Sequence, residues 1–144
     1  NKTIQANRKA VNTWLAGKVK CGNCGYALMS IKIQSGKQYL RCTKRLNNKA
    51  CPGCGKVYTE DVENYVYKEM VRKLREGQSP AAYTKLKENP QVKQIYREIE
   101  EMEKVASNIS LWGEIDFEEK RFTVDKMIRS LKVFPGSVQI QWKF

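Results

Sequence analysis

Apolar positions change their period along this chain. Lys18-Val19-Lys20-Cys21 reads as a short strand, and residues 26–33 and 38–42 flank a turn sequence, Gln34-Ser35-Gly36-Lys37. That pattern predicts a β-hairpin with Leu28–Ser30 and Lys32 set against Tyr39–Arg41. From Thr59 the period becomes helical. Thr59 is the expected N-cap, Glu60 and Asp61 lie in the first turn, and Val62, Tyr65, Val66, Met70 and Leu74 form a stripe that stops at Gly77. Ser79-Pro80 opens a short helical piece that Asn89-Pro90 ends. Val92, Ile95, Ile99, Met102, Ala106 and Ile109 then recur at spacings of 3, 4, 3, 4 and 3, with Glu98, Glu100, Glu101 and Glu103 outside the row. This is the seam of a coiled coil, and an ordinary amphipathic core helix fits so short a run equally well. Phe117, Arg121, Val124, Ile128 and Leu131 suggest a last helix. Pro135-Gly136-Ser137 turns the chain into Val138–Phe144, whose strict alternation predicts a strand with one buried face. Strands gathered at one end and helices after them indicate an α+β architecture.

Composition narrows this to one ordinary domain, or a small module joined to a helical one: the chain has 144 residues, 41% of them hydrophobic. Residues 1–14 are polar and basic and lack a start methionine, so they read as an incoming linker from something upstream. The expected divisions are a ribbon at 15–58, a helical part at 59–130 with a coiled-coil base at about 91–112, and a closing β segment at 131–144. No stretch is long and apolar enough to span a membrane. Charge changes the picture more. Residues 1–58 hold twelve Lys or Arg and no Asp or Glu, whereas residues 59–144 hold fifteen of each sign. Solvated faces mix signs, so a long segment without one carboxylate points to a polyanion, nucleic acid before membrane, since no amphipathic apolar face accompanies the charge.

The candidate chemistry lies within that basic segment. Cys21-Gly-Asn-Cys24-Gly25 and Cys51-Pro-Gly-Cys54-Gly55 bracket a fifth cysteine, Cys42. Each Cys-x-x-Cys-Gly forms a tight turn that points two sulfurs the same way, and two such turns complete a tetrahedral thiolate site for Zn²⁺. A disulfide framework is the weaker reading: the number is odd, no secretory segment is seen, and the setting suggested is a reducing cytoplasm. A redox Cys-x-x-Cys would open a helix, yet Cys24 is followed by a β-leaning run. Five cysteines for four positions leave one over among Cys42, Cys51 and Cys54, and spacing alone favours the symmetrical pairs with Cys42 spare. The chain has no histidine, and its serines fall in turns or helix caps, so no nucleophile with an adjacent base is present and no catalysis is expected of these residues.

Leu15-Ala-Gly17-Lys-Val-Lys-Cys21-Gly-Asn-Cys24-Gly, then Tyr39-Leu-Arg41-Cys42, a cysteine about nine residues on, and Asp61-Val62-Glu63 opening a helix resemble the zinc β-ribbon domain of large serine recombinases, the phage-type serine integrases. Phe117–Arg121 through Gln139–Lys143 is similar to that family's C-terminal segment. The resemblance implies a DNA-binding domain that recognises attachment half-sites on double-stranded DNA, in a parent enzyme that integrates, excises or transposes mobile elements. It implies zinc ligands Cys21, Cys24, Cys42 and Cys51, with Cys54 as the alternative to Cys51. The residues expected on DNA are Arg8, Lys9, Lys32, Lys37, Gln38, Arg41, Lys44 and Arg45. The family's coiled-coil arm joins protomers. Here the seam has no returning helix of matching length, so the arm is expected to be absent or trimmed near Ala106-Ser107-Asn108, and the fragment monomeric. The rival readings are an RNA-binding zinc ribbon of a ribosomal or transcription protein, and a structural interaction module.

Overall fold

The computed structural model describes residues 12–44, 51–77 and 93–143, and the chain divides into two compact units. The expected linker residues 1–11 and the helical piece at 79–89 lie outside the described residues.

The first unit joins the N-terminal part, through Tyr65, to the C-terminal stretch from Met127. Its strands are β1 (Val19–Cys21), β2 (Leu28–Lys32), β3 (Gln38–Cys42), β4 (Val57–Tyr58), β5 (Ile128–Phe134) and β6 (Ser137–Trp142). They form two sheets of order β1-β5-β6 and β2-β3-β4. The hairpin has the expected strands, paired from Leu28↔Cys42 to Lys32↔Gln38 around Gly36, whose φ of 88° suits a residue without a side chain. Thr59 begins the helix as read from sequence, and its hydroxyl lies 2.7 Å from that of Ser30, beneath the hairpin.

Thr13 and Trp14, at the end of the expected linker, are buried, Thr13 donating a hydrogen bond to Glu63 at 2.8 Å. Ile128 and Leu131 do not continue the last helix. They lie in β5, which pairs in parallel with β1 (Val19↔Leu131) and antiparallel with β6 (Leu131↔Ile140). The helical spacing from Val124 was real, but Ile128, Leu131 and Val133 also suit a pleated surface buried among neighbours, and all three are fully buried there. β6 shows the expected alternation, with Val138, Ile140 and Trp142 half-buried between exposed Gln139 and Gln141.

The second unit, Val66–Lys126, is helical. The helix α1 (Thr59–Gly77) enters it with Val66, Met70 and Leu74 buried at i, i+4 spacing, while Tyr65, expected in the same stripe, is 41% exposed. The helix α2 (Lys93–Ser110) is unbroken through Ala106-Ser107-Asn108, the expected join, and the chain reverses instead at 111–116 before α3 (Phe117–Met127). Asp116 caps α3, its carboxylate accepting from the Glu119 amide at 2.8 Å. Asn108 donates to Thr123 at 3.0 Å, Lys104 pairs with Glu119, and Lys126 pairs with Glu101, so α3 runs antiparallel to α2. Of the described residues of the expected seam, Ile109 is buried and Met102 and Ala106 are half-buried, and Val105, outside that row, is buried as is Val124 of α3. Val92 and the side chains of Ile95 and Ile99 lie outside the described residues.

Candidate metal centre and nucleic-acid face

The first cysteine turn follows directly from β1. The Gly25 amide donates to the Cys21 carbonyl and the Cys21 amide to Tyr26, each at 2.8 Å, so the chain reverses within four residues and turns both thiols inward. In the second turn the Gly53 amide donates to the Cys51 sulfur at 3.3 Å, and Asn23 donates to the Gly53 carbonyl, tying one turn to the other. β3 delivers Cys42 between them. The sulfurs of Cys21, Cys24, Cys42 and Cys51 all lie within 4.8 Å of one another, with Cys21–Cys51 at 3.7 Å and Cys24–Cys42 at 3.4 Å.

Those separations suit a metal. Four thiolates arranged tetrahedrally at about 2.3 Å from Zn²⁺ stand about 3.8 Å apart, and a closed four-sulfur shell leaves no position for substrate. Cys54 is outside the cluster, its thiol directed at the carbonyls of Leu40 and Gly55, both at 3.7 Å. The symmetrical-pair arrangement, with Cys42 spare, is therefore not the one the chain adopts. Burial pushes the Cys21 and Cys54 thiols up, and desolvation followed by contact with Cys42 and Cys51 pushes Cys24 up to about 12. At neutral pH these thiols are protonated without a cation among them, and a bound metal reverses that balance.

The first cysteine turn packs against the distant C-terminal hairpin. The Gly22 amide donates to Val133 at 2.8 Å, and a side chain at Gly22 would meet the Phe134 ring at 2.5 Å. This approach explains why a glycine stands inside the first turn.

The sheet β2-β3-β4 divides the expected DNA-binding residues between its two faces. Leu28, Ser30, Leu40 and Cys42 face the core, and Gln38 belongs to that side, accepting a hydrogen bond from Ser30 at 2.9 Å. Met29, Ile31, Tyr39 and Arg41 share the opposite face, joined by Tyr58, which pairs with Tyr39. Arg41 and Lys37 are exposed, as is Lys32 at the strand end. Arg8, Lys9 and Arg45 lie outside the described residues. The sequence reading passed over the tyrosines of this face. Lys37 stands 5.0 Å and Lys56 5.8 Å from the Tyr58 ring centre, Arg41 is 5.8 Å from Tyr39, and Lys44 is 5.0 Å from Tyr26. Aromatic residues interleaved with cations were the available signal.

A ribbon holding four convergent cysteines, with a basic aromatic outer face, is the architecture of a metal-stabilised β-ribbon module. Residues 14–71 match the family described as "Recombinase zinc beta ribbon domain". Two solved structures share the fold. One is described as "Sequence Requirements of the Listeria innocua prophage attP site" (TM-score 0.53, 13% identity, covering 94% of this chain and 45% of the other). The second is described as "Crystal Structure of a LSR-DNA Complex" (TM-score 0.53, 15% identity, 98% and 57% covered). The chain thus spans about half the length of these structures. No curated protein matches it.

Proposed function

We propose that this protein is the zinc-dependent DNA-binding domain of a large serine site-specific recombinase and that it recognises one half of a double-stranded attachment site. The observation that carries the reading is the coincidence, within the segment matching the recombinase ribbon, of a four-sulfur cluster with a face whose charges are all positive. Cys21, Cys24, Cys42 and Cys51 hold the metal, which supplies a structural cross-link between the two turns and β3 and takes no part in chemistry. Arg41 is the base reader. Its guanidinium is exposed on the outer face and can engage a guanine edge with two hydrogen bonds, whereas Gln38 faces inward toward Ser30. Lys32, Lys37 and Lys44 engage phosphates, which sets register and affinity without reading sequence. Strand cleavage belongs to another part of the parent enzyme, and the same parent carries the protomer contacts.

A panel of duplex half-sites, titrated against the zinc-loaded protein at several salt concentrations, tests this. Specific binding to one half-site, with affinity falling as salt rises, is expected. Equal binding to all duplexes would reject site recognition. Preference for A-form RNA would favour the ribosomal or transcriptional alternative. Binding to neither nucleic acid would leave an interaction module.

A further inference from the structure

β3 and the second cysteine turn border an open groove of about 580 Å³. Its walls include Ile33, Tyr39, Arg41, Pro52, Lys56 and Tyr58. Among the described residues β4 pairs with Tyr39 and Leu40, and Arg41 and Cys42 of β3 line the groove beyond that pairing. The volume falls in the range of small-molecule sites, about 300–1,000 Å³.

Its chemistry selects one kind of occupant. Tyr58, Tyr39, Ile33 and Pro52 supply apolar wall, Arg41 lies over the Tyr39 ring at 5.8 Å, and Lys37 and Lys56 lie over the Tyr58 ring at 5.0 and 5.8 Å, where a stacking base would displace them toward its phosphate. No carboxylate occurs in residues 1–58 to repel an anion. A base pair is held within its stack and cannot lay a base face on these rings. An unpaired nucleotide can do so while its phosphate meets the surrounding cations. We infer that this groove binds a single unstacked nucleotide of a DNA strand, its base against Tyr58 and Tyr39 and its phosphate beside Lys56 and Lys37. The inference rests on reading the ribbon as a DNA-binding module and adds to it a site for unpaired DNA.

The test compares a short oligothymidylate with a strand of the same length whose sugars carry no bases, both titrated against the zinc-loaded protein. The two strands present the same phosphates, so any difference reports the bases. At least about fivefold tighter binding of the thymidylate is expected. Tyr58→Ala should bring the ratio close to one, and Tyr58→Phe should keep it, with zinc content confirming that each variant is folded. Iodouracil-substituted strands should photo-crosslink to Tyr39 or Tyr58, a measurement that needs no variant. Equal binding of the two strands by the unaltered protein, or crosslinks confined to residues outside the groove, would overturn the site. A duplex half-site titrated in parallel separates the two proposals: failure to bind duplex rejects the half-site reading, while the thymidylate ratio still decides this one.

Discussion

At the scale of single residues, the five cysteines fall into two kinds. Cys21, Cys24, Cys42 and Cys51 converge, whereas Cys54 sits buried against the Leu40 carbonyl. Changing any of the four to Ser should therefore cost the bound zinc, and Cys54→Ser should retain it, as read by metal content after gel filtration. Retention in the first group, or loss in the last, would reverse the assignment. Residue-level logic also separates the basic side chains. Arg41→Ala should narrow the gap between specific and random DNA, while Lys37→Ala should weaken both and lower the salt slope by about one unit, because one phosphate contact releases about one counterion. An equal loss on both DNAs after Arg41→Ala would deny it base reading. Gly22→Ala belongs to the same scale: its Cβ would meet Phe134 at 2.5 Å, so overpacking should cost about 1–3 kcal/mol in chemical denaturation.

Among the elements, β5 carries a consequence that the local pattern conceals. It is the central strand of its sheet, and β1, which leads directly into the first cysteine turn, has β5 as its partner. Leu131→Ala, at a fully buried position opposite Val19, should destabilise by about 2–5 kcal/mol and also weaken zinc retention. Zinc held as tightly as in the unaltered protein would show that the two sheets are energetically independent. The pair α2 and α3 makes the complementary point. Asn108, Lys104 and Glu101 meet α3 from about two turns of α2, and Val105 and Ile109 are buried. Ile109 of the seam is buried within the chain and Met102 and Ala106 are half-buried, so light scattering should give a monomer; a dimer through 93–109 would contradict this.

For the whole molecule, the decisive variable is the metal. Removing it should unfold the ribbon at 15–58, since a module with so small a core gains its folding energy from the bound ion, and the amides of β5 should lose protection with it. Circular dichroism and hydrogen exchange with and without a chelator provide the reading, and unchanged spectra would refute it. The pH dependence has a definite sign. In the metal-free fold the raised thiols favour the protonated cluster, a contribution present below the ordinary thiol range and lost as pH climbs toward Cys24's value of about 12. Metal has to displace those protons, so zinc affinity measured by chelator competition should rise from about pH 6 to about pH 8.

The sequence alone determined what is local. Cys-x-x-Cys-Gly dictates its own turn, Gly36 permits the hairpin, and the stretch from Thr59 to Gly77 carries start, stripe and stop within itself, so each was legible where it stood. The all-positive charge of the first 58 residues was legible as well, because charge is a property of composition. Only the tertiary structure decided what depends on distant partners. Spacing favoured Cys54 over Cys42, but membership of the four-sulfur cluster is set by where β3 and the second turn meet in space. Ile128 and Leu131 satisfy a helix pattern and a strand pattern equally, and β1, more than a hundred residues earlier, resolves the ambiguity by supplying an edge to pair with. Gln38 and Arg41 look alike as base readers in the sequence, but they lie on opposite faces of one sheet, and only the core beneath that sheet determines which of them faces outward.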